Sequence, residues 1–251
     1  MNKSKEHVPF NVGDTASVNI TDLNHNGEGV GKAEGFTLFI PGALPGEEVQ
    51  AKVTVLKRGY GRAGLRTIIK PSFSRTEPFC PLASRCGGCQ LQHLNYLEQL
   101  AWKRKRVADT LKRIGGLTRP VKPVIGMEHP LAFRNKADIH TGIDNGKITL
   151  GFYALQSRRI VDVHDCPVQH PLNNRFMCLI RSLLQSDAAK YCWSKENDIP
   201  FRGITLRSSF SNNQCMIVFK TNRGRSAYQL YRKYANLLAR EAKKELAGVV
   251  P

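Results

Sequence analysis

Three cysteines stand close together in Phe79-Cys80-Pro81-Leu82-Ala83-Ser84-Arg85-Cys86-Gly87-Gly88-Cys89. Cys86 and Cys89 have the Cys-x-x-Cys spacing, whose tight turn brings two thiolates onto one ion. Gly87 and Gly88 tolerate positive φ, so this turn can wrap closely around a metal centre. Cys80 supplies a third thiolate and closes most of a shell. Thiolates suit soft centres, zinc or an iron–sulfur cluster, and the spacing does not choose between them. A fourth ligand must come from elsewhere. Cys166, in Val163-His164-Asp165-Cys166-Pro167, is the best candidate, because it lies in a loop-like stretch and a proline follows it. His93, His164 and His170 stand in reserve. The competing assignments are a disulfide pair or unrelated core cysteines.

Composition narrows the setting. The chain has 251 residues, 41% of them hydrophobic, enough for a buried core and two domains. Lys and Arg number 38 against 20 Asp and Glu, a formal charge of +18. That excess points to a polyanionic partner, a nucleic acid first. An anionic membrane would call for a basic amphipathic anchor helix, and no such stretch stands out. No apolar run has the length of a membrane span, and the N-terminus lacks the apolar centre of a signal peptide. With an odd number of cysteines, 7, a reduced cytoplasmic setting is expected. A monomer is expected.

The elements that would position these residues fall into two groups. From Val12 to Ile69, short strands alternate with turns. Phe36–Ile40 and Val49–Val55 carry apolar residues in strand patterns, and Asn24–Gly27 and Ala33–Gly35 are turn signals. This pattern predicts a small OB-like barrel. Gly59-Tyr60-Gly61-Arg62-Ala63-Gly64 matches G-x-G-x-x-G literally, but strand sequence follows it where a dinucleotide loop would open a helix. Its alternative use is RNA contact. Lys57, Arg58, Tyr60, Arg62 and Arg66 combine charge with a ring, as single-strand binders do, although a solvated basic face looks the same.

Pro71–Pro78 reads as a linker into the cysteine stretch. Asn95–Ile114 predicts a helix with a basic run, Lys103-Arg104-Lys105-Arg106, stopped by Gly115-Gly116. Phe133–His140, Lys147–Tyr153 and Arg159–Val163 predict strands, the first two joined across Asp144-Asn145-Gly146. A helix is expected over Asn173–Gln185, paired strands over Gly203–Phe210 and Gln214–Thr221, and a helix over Ser226–Leu246. Gly248-Val249-Val250-Pro251 resembles the opening of a strand. Cys178, Cys192 and Cys215 lack an activating neighbour in sequence, and no hydrolase, Walker or zinc-protease motif is present.

At this point the residues resemble a family. The barrel has the look of a TRAM domain. The run Cys80…Cys86-Gly87-Gly88-Cys89-Gln90-Leu91-Gln92-His93 and the distant Asp165-Cys166-Pro167 resemble the RumA-type 23S rRNA (uracil-5-)-methyltransferases. The resemblance implies a [4Fe–4S] cluster on Cys80, Cys86, Cys89 and Cys166, S-adenosylmethionine as methyl donor, and ribosomal RNA as partner. Phe133-Arg134-Asn135-Lys136 resembles a family strand whose arginine faces the RNA, which marks Arg134 and its neighbour Lys136. The expected fold is mixed β and α+β: a TRAM-like barrel over 9–70, then an α+β iron–sulfur central domain over 71–251. No stretch matches the family's Rossmann-like methyltransferase domain. That domain is therefore expected to be absent, the chain to be inactive alone, and helix 95–114 to contact the missing part. The rival readings are a stand-alone metal-containing RNA-binding module without catalysis, a radical methylthiotransferase and a zinc-ribbon protein.

Overall fold

The computed structural model describes residues 8–195, 198–221, 225–242 and 244–250. They fall into two compact units. The first comprises Met1–Phe79 with Cys89–Gly126, and the second comprises Cys80–Gly88 with Met127–Pro251.

In the first unit, β1 (Thr15–Leu23), β2 (Gly29–Ala33), β3 (Phe36–Ile40), β4 (Glu48–Lys57) and β5 (Tyr60–Lys70) close into a barrel in the order β1-β2-β3-β5-β4. Side chains of a strand alternate between faces, so every second residue goes inside. Val18 and Ile20 of β1, Leu38 and Ile40 of β3, and Val49 and Val53 of β4 form the core. The G-x-G-x-x-G match lies in the β4–β5 hairpin. A Cβ on Gly61 would stand 2.9 Å from Leu38 and 3.1 Å from the Val55 carbonyl, so glycine here serves barrel packing. Helix α1 (Tyr96–Arg113) begins at Asn95, whose side chain accepts the Glu98 N–H at 2.9 Å.

The second unit is a six-stranded sheet in the order β11-β10-β9-β6-β7-β8. Its strands are β6 (Lys136–Asp144), β7 (Lys147–Tyr153), β8 (Ile160–Asp162), β9 (Phe201–Ser208), β10 (Cys215–Thr221) and β11 (Leu246–Val250). All pairs are antiparallel except β10–β11. Helices α2 (Pro171–Tyr191) and α3 (Arg225–Glu241) share one core with Ile139, Leu150, Ile204 and Ile217 of the sheet.

Several boundaries differ from expectation. Phe133–Asn135 precede β6, and Arg134 makes only an isolated bridge to Gln169. Helix α2 starts earlier, because Pro171 occupies its first turn and the His170 ring accepts the Leu172 N–H. Helix α3 stops at Glu241, and Leu246 opens β11. Strand β10, helix α3 and parallel strand β11 follow one another, so the chain does contain a strand–helix–strand crossover.

Candidate cysteine centre and nucleic-acid interface

Cys80, Cys86 and Cys166 belong to the second unit, and all three are half-buried. Residues 80–88 are held by short backbone bonds: Ala83 N–H donates to the Cys80 carbonyl at 3.0 Å and Cys86 N–H to the Leu82 carbonyl at 2.8 Å. Leu82 packs on the same apolar core as Cys166. Gly87 N–H donates to the Tyr153 carbonyl at 2.9 Å, at the end of β7. A Cβ on Gly87 would lie 2.8 Å from that oxygen, so only glycine lets the turn come this close. Gly88 N–H points at Cys86 Sγ, 3.4 Å away.

The loop carrying Cys166 is clamped from helix α2. Asn174 Oδ1 accepts the Cys166 N–H at 3.2 Å, and its amide donates to the Cys166 carbonyl at 3.1 Å. This role of Asn174 was not legible in the sequence, because an asparagine in a first helical turn has many uses. Arg134 joins the two cysteine-bearing segments. Its backbone N–H donates to the Val168 carbonyl at 2.7 Å, and its guanidinium donates to the Gly88 carbonyl at 3.1 Å.

The seven cysteines form no disulfide. Among the described residues, no three His, Cys, Asp or Glu side chains are gathered into a group that could hold a metal ion. Cys89 falls in the first unit. The donor chemistry nevertheless fits a soft centre: the candidate donors are half-buried thiols, and a backbone N–H is aimed at one sulfur. Two of the three reserve histidines are engaged otherwise. His164 pairs with Asp162 at 3.2 Å, and His170 caps α2. His93 belongs to the first unit, where burial, followed by the charge of Arg75, pushes its pKa down to about 4 against the opposing pull of Glu47.

The other sequence candidates divide. Arg58 is exposed in the β4–β5 turn, Arg66 is exposed on β5, and Lys136 is exposed at the start of β6. Tyr60 is 41% exposed and meets Phe39 edge-on at 5.4 Å. Arg62 is half-buried and its guanidinium is ion-paired with buried Glu28, so it also braces the barrel. Of the remaining cysteines, Cys215 is buried in the sheet core, and burial pushes its thiol pKa up, which disfavours the thiolate. Cys178 and Cys192 are exposed.

Residues 9–65 match the TRAM domain. A protein of Halalkalibacterium halodurans named an uncharacterized RNA methyltransferase is 39% identical over 219 residues, covering 87% of this chain and 48% of that protein. One of Clostridium tetani with the same description is 37% identical, covering 86% of this chain and 47% of the relative. The solved tRNA (uracil-54, C5)-methyltransferase of Pyrococcus abyssi, in complex with S-adenosyl-L-homocysteine, matches with a TM-score of 0.61 at 27% identity, over 85% of this chain and 48% of that one. The chain thus spans about half the length of the relatives it matches. The resemblance to the RumA-type RNA uracil methyltransferases stands on these matches. They also correct two expectations. The methyltransferase part was expected to be absent and the chain inactive, because no stretch matched that domain's motifs. Methyltransferase similarity instead runs through 87% of the chain in a curated relative and 85% in a solved one, so absence and inactivity are not sustained.

Proposed function

We propose that this relative of the RNA uracil methyltransferases serves an S-adenosylmethionine-dependent methylation of uracil C5 in ribosomal RNA, acting in the cytoplasm. The similarity to a solved uracil-C5 methyltransferase, along 85% of the chain, carries the reading. The TRAM domain and the formal charge of +18 support RNA as the partner.

S-adenosylmethionine supplies the methyl group. Uracil C5 is a weak nucleophile, so this class of reaction needs a thiolate adding at C6 and a base taking the C5 proton. The residues described here are assigned binding roles. The barrel offers Arg58, Tyr60 and Arg66 to the RNA, with Arg62 holding Glu28 behind them. Arg134 and Lys136 lead into β6 beside the cysteine-bearing segments.

A [4Fe–4S] cluster on Cys80, Cys86, Cys89 and Cys166 belongs to the same proposal, supported by the cysteine spacing and by the sulfur-directed N–H of Gly88. The cluster would cross-link segments far apart in sequence. Anaerobically prepared protein is expected to carry iron and sulfide in about equal amounts. Cys86→Ser or Cys166→Ser should lose most of both, and stoichiometric zinc in their place would remove the iron assignment.

The activity test uses the whole protein that carries this chain. With ribosomal RNA labelled with tritium at uridine C5, tritium release dependent on S-adenosylmethionine is expected. Methyl incorporation without tritium release would move the modification to another atom, and no incorporation into any RNA would overturn the proposal.

A further inference from the structure

The peptide groups on either side of Cys166 are held by one side chain. Asn174, half-buried in the first turn of α2, accepts the Cys166 N–H through Oδ1 at 3.2 Å. Its Nδ2 donates to the Cys166 carbonyl at 3.1 Å. A planar amide that grips the N–H and the C=O of one residue restrains that residue's φ and ψ together. The direction of the Cα–Cβ bond, and with it the reach of Sγ, is then set from the helix. The helix is itself anchored: Pro171 occupies its first turn, and Leu172 and Phe176 are buried in the core on either side of Asn174. Beyond Cys166 the loop is stitched down by backbone. Gln169 N–H also donates to the Cys166 carbonyl at 3.0 Å, and Ala132 N–H to the Pro167 carbonyl at 2.8 Å. Neighbouring Asn173 has a different task. It is 1% exposed, donates to Gln169 Oε1 at 2.9 Å and accepts from Ser208 Oγ at 2.8 Å, so it ties the helix to β9 and not to the Cys166 peptide.

We propose that Asn174 is a positioning residue for the cysteine centre: it presents Cys166 as a fourth thiolate already in place before any metal binds. A ligand sulfur must stand within a few tenths of an ångström of its proper place. A loop that is ordered only on binding draws part of the binding energy for its own ordering. Cys166 has the greatest need of a fixed loop. Cys80 and Cys86 share one short hydrogen-bonded stretch, whereas Cys166 arrives from far along the sequence. Asparagine suits the task because its amide donates and accepts without carrying charge. An aspartate could not donate to the carbonyl, and its charge would repel a centre built of thiolates. Both polar atoms of the Asn174 amide face the Cys166 backbone, so the residue acts through the cysteine and not as a ligand.

This inference rests on the cysteine-centre reading above, and the experiment separates the two. The whole protein that carries this chain is stripped of metal without oxygen and titrated with Co2+ alone, with circular dichroism confirming the fold of each variant. Thiolate-to-cobalt charge-transfer absorbance grows with each sulfur bound, and Cys166→Ser supplies the reference with one sulfur fewer. Wild type is expected to give the full signal. Asn174→Ala should weaken Co2+ binding at least about tenfold and move the signal towards that of Cys166→Ser. Asn174→Leu keeps the volume, favours the helix and lacks both polar atoms, so it should do the same even if Asn174→Ala fails to fold. Ser208→Ala is the structural control. It removes the bond to Asn173 and should lower the thermal midpoint while keeping the wild-type cobalt signal. If the folded Asn174 variants keep the wild-type signal and affinity, or if Ser208→Ala loses as much as they do, the positioning role is overturned and the cysteine centre stands. If wild type takes up neither Co2+ nor iron, the centre falls and the inference with it.

Discussion

Glu47, 1% exposed, is a charged side chain buried at the foot of the barrel. It accepts from Leu44 N–H at 2.8 Å and from Arg75 Nε at 2.5 Å, and Arg75 also donates to the Gly42 carbonyl at 2.6 Å. Removing one partner of a buried pair leaves the other charge uncompensated and costs about 3–5 kcal/mol. Arg75→Ala is therefore expected to lower the stability of the first unit by about 3 kcal/mol in urea unfolding. Burial opposes ionisation of Glu47, but Arg75 and the Leu44 and Ser72 N–H groups outweigh it and hold the pKa below the usual 4.5. A lowered carboxylate pKa gives stability that is present above the unfolded value and lost as pH falls through the folded one. His93 acts earlier in the same descent. It stays neutral when folded, with a pKa near 4 against 6.5 when unfolded, so stability falls between those values as the unfolded chain takes up the proton. Thermal midpoints should decline from pH 6.5 to 4, and His93→Phe should flatten that interval. A variant as steep as wild type would remove His93 from the account. None of this was legible in the sequence, where Glu47 and Glu48 are adjacent and nothing shows which is buried. Arg134 was marked by the family resemblance, whereas the bond from its guanidinium to the Gly88 carbonyl was not legible in the sequence.

At the scale of elements, period-two patterning was enough to find the barrel, because each strand has one dry face. Ends were harder. The apolar spacing of Leu230, Leu238 and Ala242 continues to Leu246, yet α3 stops at Glu241 and the Glu245 N–H donates to the Ala242 carbonyl at 3.0 Å just before β11 opens. The β10–β11 pairing joins residues far apart in sequence, which local pattern does not reveal. Helix α1 combines local signals with partners distant in sequence. None of its residues is buried, and Leu97, Val107 and Ile114 are exposed. Its supports include the Asn95 cap, Trp102 packed against the cluster of Leu23, Leu44 and Leu94, Gln99 bonded to the Leu94 carbonyl at 2.8 Å, Lys105 paired with Asp22 at 2.7 Å, and Arg106 bonded to the His25 carbonyl at 2.9 Å. Exposed ion pairs contribute only about 0.2–1 kcal/mol each, so the cap and the Trp102 packing outweigh any one of them. Asn95→Ala should cost about 1 kcal/mol and speed amide exchange in the first turn of α1 about fivefold. Barrel amides should keep their protection. Unchanged exchange in α1 would mean that the helix is held by something other than its cap.

Across the whole molecule, the formal charge of +18 was readable at once, and it shapes how any polyanion meets the chain. Which cations act together is a property of the fold. Arg62 and Arg75 are paired with buried carboxylates, and Arg58, Arg66, Lys136 and Arg207 are exposed on strands or turns. Each phosphate neutralised on a single strand releases most of one counterion, giving a slope of about −0.7 per contact in log affinity against log salt. Six contacts would give a slope near −4, a fall on the order of a hundredfold between about 50 and 200 mM salt. That steepness is expected for single-stranded RNA titrated at several salt concentrations. The exposed set should carry it: Arg58→Ala with Arg66→Ala should flatten the slope by more than one unit. Arg62→Ala should flatten it little and instead lower thermal stability, because its loss leaves Glu28 buried without its cation. A slope shallower than about −1 for wild type would mean that the charge serves some purpose other than gripping a phosphate backbone.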